Sequence, residues 1–272
     1  MSELIGQAIH TALWEEDAQP SNPYAADVCY CRGYDVYGDV LGKASYLEYF
    51  YLLFKGERPD KEALALLNAL AVALANPGPR DPSVHAAMAA GVGGSTAASA
   101  LMAALAAGAG SFGGGREVFL ALEAWRERGN DLQAWIAGLS NPAQPTRMQV
   151  WPHPEHPPGF EPYGHECARP VIQTLTTLSN ISPDGHASWL LRERPALERS
   201  AGRPLAMTGA AAAAFMDLRF SAEEGEMLTL LLRLPGAAAH ALEQGRQGFR
   251  NFPFFSLDIE NDPKGGKAKD VA

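Results

Sequence analysis

The chain has 272 residues, 22 of them Lys or Arg and 31 Asp or Glu, so it carries a formal net charge of −9, and 47% of its residues are hydrophobic. That length and composition suit a folded globular protein of one large domain, or a large one with a small one appended, and not a disordered or fibrous chain. The acidic balance lacks the clustered Lys and Arg that bind a phosphate backbone, which argues against nucleic acid and for a small molecule or another subunit as partner. Three cysteines, Cys29, Cys31 and Cys167, make a poor disulfide framework and fit a reducing compartment. Residues 1–13 have neither the basic nor the apolar region of a secretory signal, and the most apolar stretch, 86–110, is dominated by Ala and too weakly hydrophobic for a membrane span. A cytoplasmic protein making no membrane contact is expected.

In chain order, Leu64, Leu66, Leu67, Leu70, Val72 and Leu74 recur at helical spacing over 61–76, with Asp60 as the N-cap. The Ala-rich segment 83–107 is interrupted at Gly91, Gly93 and Gly94, which predicts two helices packed at close range. After the glycine-rich 108–115, a helix is expected through Val118, Phe119, Leu122 and Trp125 to Gly129, and another over 132–139. Seven prolines between 142 and 162 exclude regular structure there, and a loop of that length inside a compact domain is often functional. Helices are expected again at 171–178, 186–193 and 205–218. Ser221 and Glu224 form a capping-box pattern before a further helix, which Pro235 should kink or end. The tail 261–272 has too little apolar content to pack and is expected to be disordered. Alternating strand patterns are scarce, so the fold is expected to be all-α.

Motifs in order along the chain add a resemblance to this. The segment Cys31-Arg32-Gly33-Tyr34-Asp35 is followed by Leu52-Leu53-Phe54-Lys55-Gly56-Glu57-Arg58-Pro59, then Phe112-Gly113-Gly114-Gly115, then Gly164-His165, and finally Arg233-Leu234-Pro235-Gly236 leading to His240 and Glu243. This series resembles the citrate synthase superfamily, and the short length is most similar to its citryl-CoA lyases. The resemblance covers roughly residues 25–250. It implies a helical fold with a large and a small domain around a cleft, here one unit over 1–260 with a small helical subdomain at roughly 165–230. It also implies a homodimer and a CoA thioester as cosubstrate, with no permanently bound cofactor.

The superfamily makes or breaks a carbon–carbon bond beside a thioester carbonyl with an Asp base, an enol-stabilising His and a second His that polarises a carbonyl. The resemblance puts His165 at the carbonyl-polarising, catalytic position and Arg233 and Arg250 at substrate-binding positions. Gly159, Tyr163 and Gly164 fall at CoA-binding positions. The enol-stabilising His is replaced by Phe112, and the base Asp by Thr208, so both are expected to line the substrate site without supplying that chemistry. The family's Asp-His-Gly and Ala-Ala-Arg turns correspond to Asn76-Pro77-Gly78 and Ala86-Ala87-Met88, which also lose polar groups. His240 reads as a packing histidine, and His153, His156, His165 and Cys167 do not read as a metal site. The expectation is an acyl-CoA-dependent lyase, ligase or acyltransferase acting on a substrate less polar than oxaloacetate. A non-catalytic acyl-CoA-binding paralogue or partner subunit is the alternative.

Overall fold

The computed structural model describes residues 10–140 and 156–253. It opens on a small antiparallel sheet made of β1 (Glu15–Gln19), β2 (Asn22–Cys31) and β3 (Tyr34–Asp35). Sequence periodicity does not reveal this sheet for a physical reason: β1 is exposed throughout and β2 buries only Cys29 and Cys31, so no apolar face alternates with a polar one. Arg32 and Gly33 turn the chain between β2 and β3 with φ of 52° and 83°, and the Asp35 carboxylate accepts the N–H groups of Tyr37 and Gly38 in the wide helical turn that follows. The Arg-Gly-Tyr-Asp motif thus shapes a turn and caps the next one.

Among the described residues ten α-helices follow. α1 (Tyr46–Lys55) starts at the Ser45 cap and stops at Gly56, and α2 (Lys61–Ala75) starts at the expected Asp60 cap. The Ala-rich stretch divides into α3 (Pro82–Val92) and α4 (Ala97–Gly108), as its glycines predict. Next come α5 (Gly115–Arg128), α6 (Leu132–Ser140), α7 (Arg169–Ile181), α8 (His186–Ala201), α9 (Met207–Asp217) and α10 (Ala222–Gln247). Pro235, expected to kink or end its helix, does not end it: α10 runs past it, and α8 likewise runs past Pro195. An interior Pro costs a helix about 3 kcal/mol. Around it, Leu232, Gly236 and Ala237 are buried, and contacts with α2, α3, α4 and α5 along α10 hold the helix together. The reciprocal capping box at Ser221 and Glu224 forms as read.

The centre of the molecule is α9, in which every residue from Thr208 to Phe215 is buried and which packs on α2, α5, α7 and α8. Trp125 sits beside it with Trp135 and Trp189 edge-on to its ring, at centroid distances of 4.9 and 5.4 Å. A second, smaller cluster joins α3, α4 and α10 through Val84, Ala87, Ala100, Ala104, Ala237 and Ala241. Among the described residues no helix is long and apolar enough to cross a membrane. The tail 261–272 and His153 lie outside the described residues.

Candidate functional site

The glycine-rich turn between α4 and α5 is built for close backbone approach. Gly113 has φ +67°, and a Cβ on Gly114 would overlap the Gly110 carbonyl oxygen. α5 then begins with no side-chain cap at Gly114, and Glu117 in its first turn folds back to serve the turn instead. One carboxylate oxygen of Glu117, Oε2, accepts the Gly113 N–H at 2.5 Å; the other, Oε1, accepts the Gly159 N–H at 2.9 Å and the Thr208 hydroxyl at 2.7 Å. Thr208 stands in the first turn of α9, so the N-termini of two helices converge on one carboxylate that is 1% exposed. The positive ends of two helix dipoles and three hydrogen-bond donors thus point at one carboxylate.

His156 completes the cluster. It is 4% exposed, and its Nε2 lies 3.6 Å from Glu117 Oε2. Neither ring nitrogen has a hydrogen-bond partner among the described residues. The half-exposed ring of Phe112 packs on the imidazole, centroids 5.5 Å apart. Glu161 feels the same site: burial pushes its carboxyl above the usual carboxylate range, the Glu117 charge adds to the rise and His156 opposes it. Behind the turn, buried Arg233 donates from Nη2 to the Gly113 carbonyl at 2.6 Å and places Nη1 3.3 Å from Asp81 Oδ2.

A groove of about 650 Å³ opens beside α8, lined by Gly164, His165, Arg194, Glu198, Arg199 and Arg203 among others. Arg194 pairs with Glu198 at 2.7 Å and Arg203 bonds the Pro162 carbonyl. Cys167 also faces the groove, and burial followed by the Glu198 charge pushes its thiol up to about 11, so it is no thiolate nucleophile near neutral pH. The loop 156–168 runs from the buried cluster to this groove and is pinned on the way. Ala206 N–H bonds the Gly159 carbonyl at 2.9 Å, Glu161 N–H bonds the Pro204 carbonyl at 2.8 Å, and Phe160 bridges to Leu205. Leu205 therefore precedes α9 and does not start it.

Phe112, Thr208 and Gly159 meet around Glu117 and His156, with the amide of Gly159 occupied by the carboxylate. His165 and Gly164 line the groove, and neither Arg233 nor Arg250 does. Tyr163 is 83% exposed, and Arg250 is exposed on the short turn Phe249–Asn251 after α10. His240 meets Asn76 at 3.1 Å, a packing contact as read. Sequence reasoning passes over Glu117 and weighs His156 only as a metal ligand. The available signal was a Glu in the first helical turn directly after the glycine turn, and nothing in the sequence pairs it with a histidine in a proline-rich loop. Among the described residues no group of three or more His, Cys, Asp and Glu could hold a metal ion.

No family sequence model and no curated protein match the chain by sequence. Solved structures do match by fold. Citryl-CoA lyase from Hydrogenobacter thermophilus superposes with a TM-score of 0.69 at 20% identity, covering 94% of this chain and 98% of that one. The chain adopts the citrate synthase-type fold, in the short form of citryl-CoA lyase. ATP citrate lyase from Methanothrix soehngenii, solved with citrate and coenzyme A, also gives a TM-score of 0.69, at 16% identity over 96% of this chain and 43% of its own. Citrate synthase from Thermoplasma acidophilum gives 0.56 at 19% identity over 84% of this chain and 59% of its own. This chain thus spans nearly all of the citryl-CoA lyase chain and under half of the ATP citrate lyase.

Proposed function

We propose that this protein cleaves or forms a carbon–carbon bond next to a CoA thioester carbonyl by retro-aldol, aldol or Claisen-type chemistry. The favoured substrate is a 3-hydroxyacyl-CoA whose carbonyl fragment is less polar than oxaloacetate. One observation carries the reading: within a citryl-CoA lyase-like fold, a single pinned loop connects a groove bearing His165 and three arginines with a buried carboxylate and imidazole. Guanidinium groups suit the phosphates of the CoA nucleotide, with Gly164 and Tyr163 at the same end of the loop. The acyl end then reaches along the loop towards Phe112. His165 takes the carbonyl-polarising role, with Arg233 and Arg250 as further candidates for a carboxylate-bearing substrate. Phe112 and Thr208, where related enzymes keep a histidine and an aspartate, favour a drier substrate than citrate.

Calorimetric titration with acetyl-CoA and with longer acyl-CoA thioesters tests the groove. Replacing both Arg199 and Arg203 with Ala should weaken binding at least about 10-fold, since charge-assisted phosphate contacts are among the stronger polar ones. Unchanged affinity in that double variant would remove the nucleotide from the groove. Acetyl-CoA with oxaloacetate should give no appreciable citrate, and robust citrate formation would reject the less polar substrate.

A further inference from the structure

We propose that His156, held by Glu117, is the proton-transferring group of this site and takes over the chemistry that Phe112 and Thr208 cannot supply. The inference rests on the lyase reading above. Both substituted positions touch the pair directly: Thr208 donates its hydroxyl to Glu117, and Phe112 packs on His156. An ordinary helix-capping Glu satisfies one or two backbone N–H groups at a solvated surface. Glu117 instead lies buried and uses both oxygens on donors from three separate segments, with an imidazole beside it. Burying an imidazole with no hydrogen bond is unfavourable and calls for an explanation. Among the described residues His156 Nδ1 has no hydrogen-bond partner, and the half-exposed Phe112 ring packs on the buried imidazole.

In the cleavage direction, His156 takes the proton of the substrate's β-hydroxyl. The O–H electron pair becomes the new C=O bond, the bond between the α and β carbons breaks, and its pair becomes the enolate of the acyl thioester. The imidazolium returns the same proton to the α carbon. One hydroxyacyl thioester therefore gives one acyl thioester and one carbonyl compound, with no oxidant, reductant or water consumed. Glu117 is a positioning residue: its Oε2, 3.6 Å from Nε2, offsets the imidazolium charge, and Thr208, Gly113 and Gly159 hold the carboxylate in place. Among the described residues, the other charged groups around the pair are Glu161 on the same loop and, across the glycine turn, Arg233 with Asp81. Arg233 reaches the turn through the Gly113 carbonyl.

By microscopic reversibility, the same ring should remove an α proton from a bound acyl thioester, and this gives a test that needs no knowledge of the carbonyl partner. Wild-type protein is incubated in D₂O with acetyl-, propionyl-, butyryl- and phenylacetyl-CoA, deuterium uptake is read by mass spectrometry, and binding is measured by calorimetry. His156→Ala should lose exchange by about 100-fold or more, the range of general acid–base catalysis, with affinity changed less than about threefold. Added imidazole should restore part of the exchange, which a merely structural histidine would not show. Should His156→Ala fail to fold, the Thr208 variants decide: Thr208→Val should lose exchange about 10-fold or more and Thr208→Ser should keep it. If the wild type exchanges and these variants do as well, the pair is overturned and the lyase reading stands. If the wild type binds thioesters and exchanges none, proton transfer by His156 is overturned. If it binds none, the lyase reading fails and the pair with it.

Discussion

Glu161 shows how one carboxyl reports on the buried pair. Burial and the neighbouring Glu117 raise its folded-state pKa above the unfolded value of about 4.3. A carboxyl raised on folding costs stability wherever it is ionised in both states, and the cost disappears once pH falls below the unfolded value. Glu161→Gln should therefore raise the thermal midpoint at pH 7, and the gain over wild type should shrink towards zero as pH falls through the folded pKa to about 4. Scans at pH 7 and pH 4 check this, and an equal gain at both would show that the Glu161 carboxyl is not raised on folding. At this scale the sequence exposes the substitutions and hides the compensation. Phe112 and Thr208 stand out because they occupy positions in an ordered motif series. Glu117 and His156 do not, because their meeting depends on how loop 156–168 packs on the N-terminus of α9, and no local pattern encodes that.

The helices were legible where chain-local chemistry sets their ends. Asp60 caps α2, the glycines at 93 and 94 separate α3 from α4, and Ser221 with Glu224 caps α10. Where tertiary packing decides, the sequence misleads: α10 continues past Pro235 because its burial along four other helices outweighs the local cost, and the sheet over 15–35 is too exposed to show alternation. Close helix approach yields a sharp prediction. A Cβ on Gly91 of α3 would overlap the Ala241 carbonyl of α10, a backbone atom that cannot rotate away. Gly91→Ala should destabilise the protein by about 2 kcal/mol, within the range for overpacking, despite the higher helix propensity of Ala. Urea unfolding measures it, and a neutral or stabilising result would mean that α3 and α10 do not pack at this distance.

At the level of the whole molecule, the predominantly helical architecture followed from the spacing of apolar residues, and the fold match agrees with it at 20% identity. The Ala-rich surface of α3 and α4, with Met102 on it 61% exposed, is the face we expect to pair in a homodimer, small residues allowing close helix contact between subunits. Light scattering at micromolar concentration should return about twice the 29.1 kDa chain mass, and a monomer would reject this arrangement. The most direct measurement of the central claim is cleavage itself. Purified protein is incubated with a panel of 3-hydroxyacyl-CoA thioesters bearing apolar and aromatic β-substituents, and the products are read by mass spectrometry. The expected result is release of a shorter acyl-CoA with the matching carbonyl compound from at least one member, abolished in His165→Ala; thioesters that bind and stay intact across the panel would contradict it and make the protein a non-catalytic acyl-CoA binder.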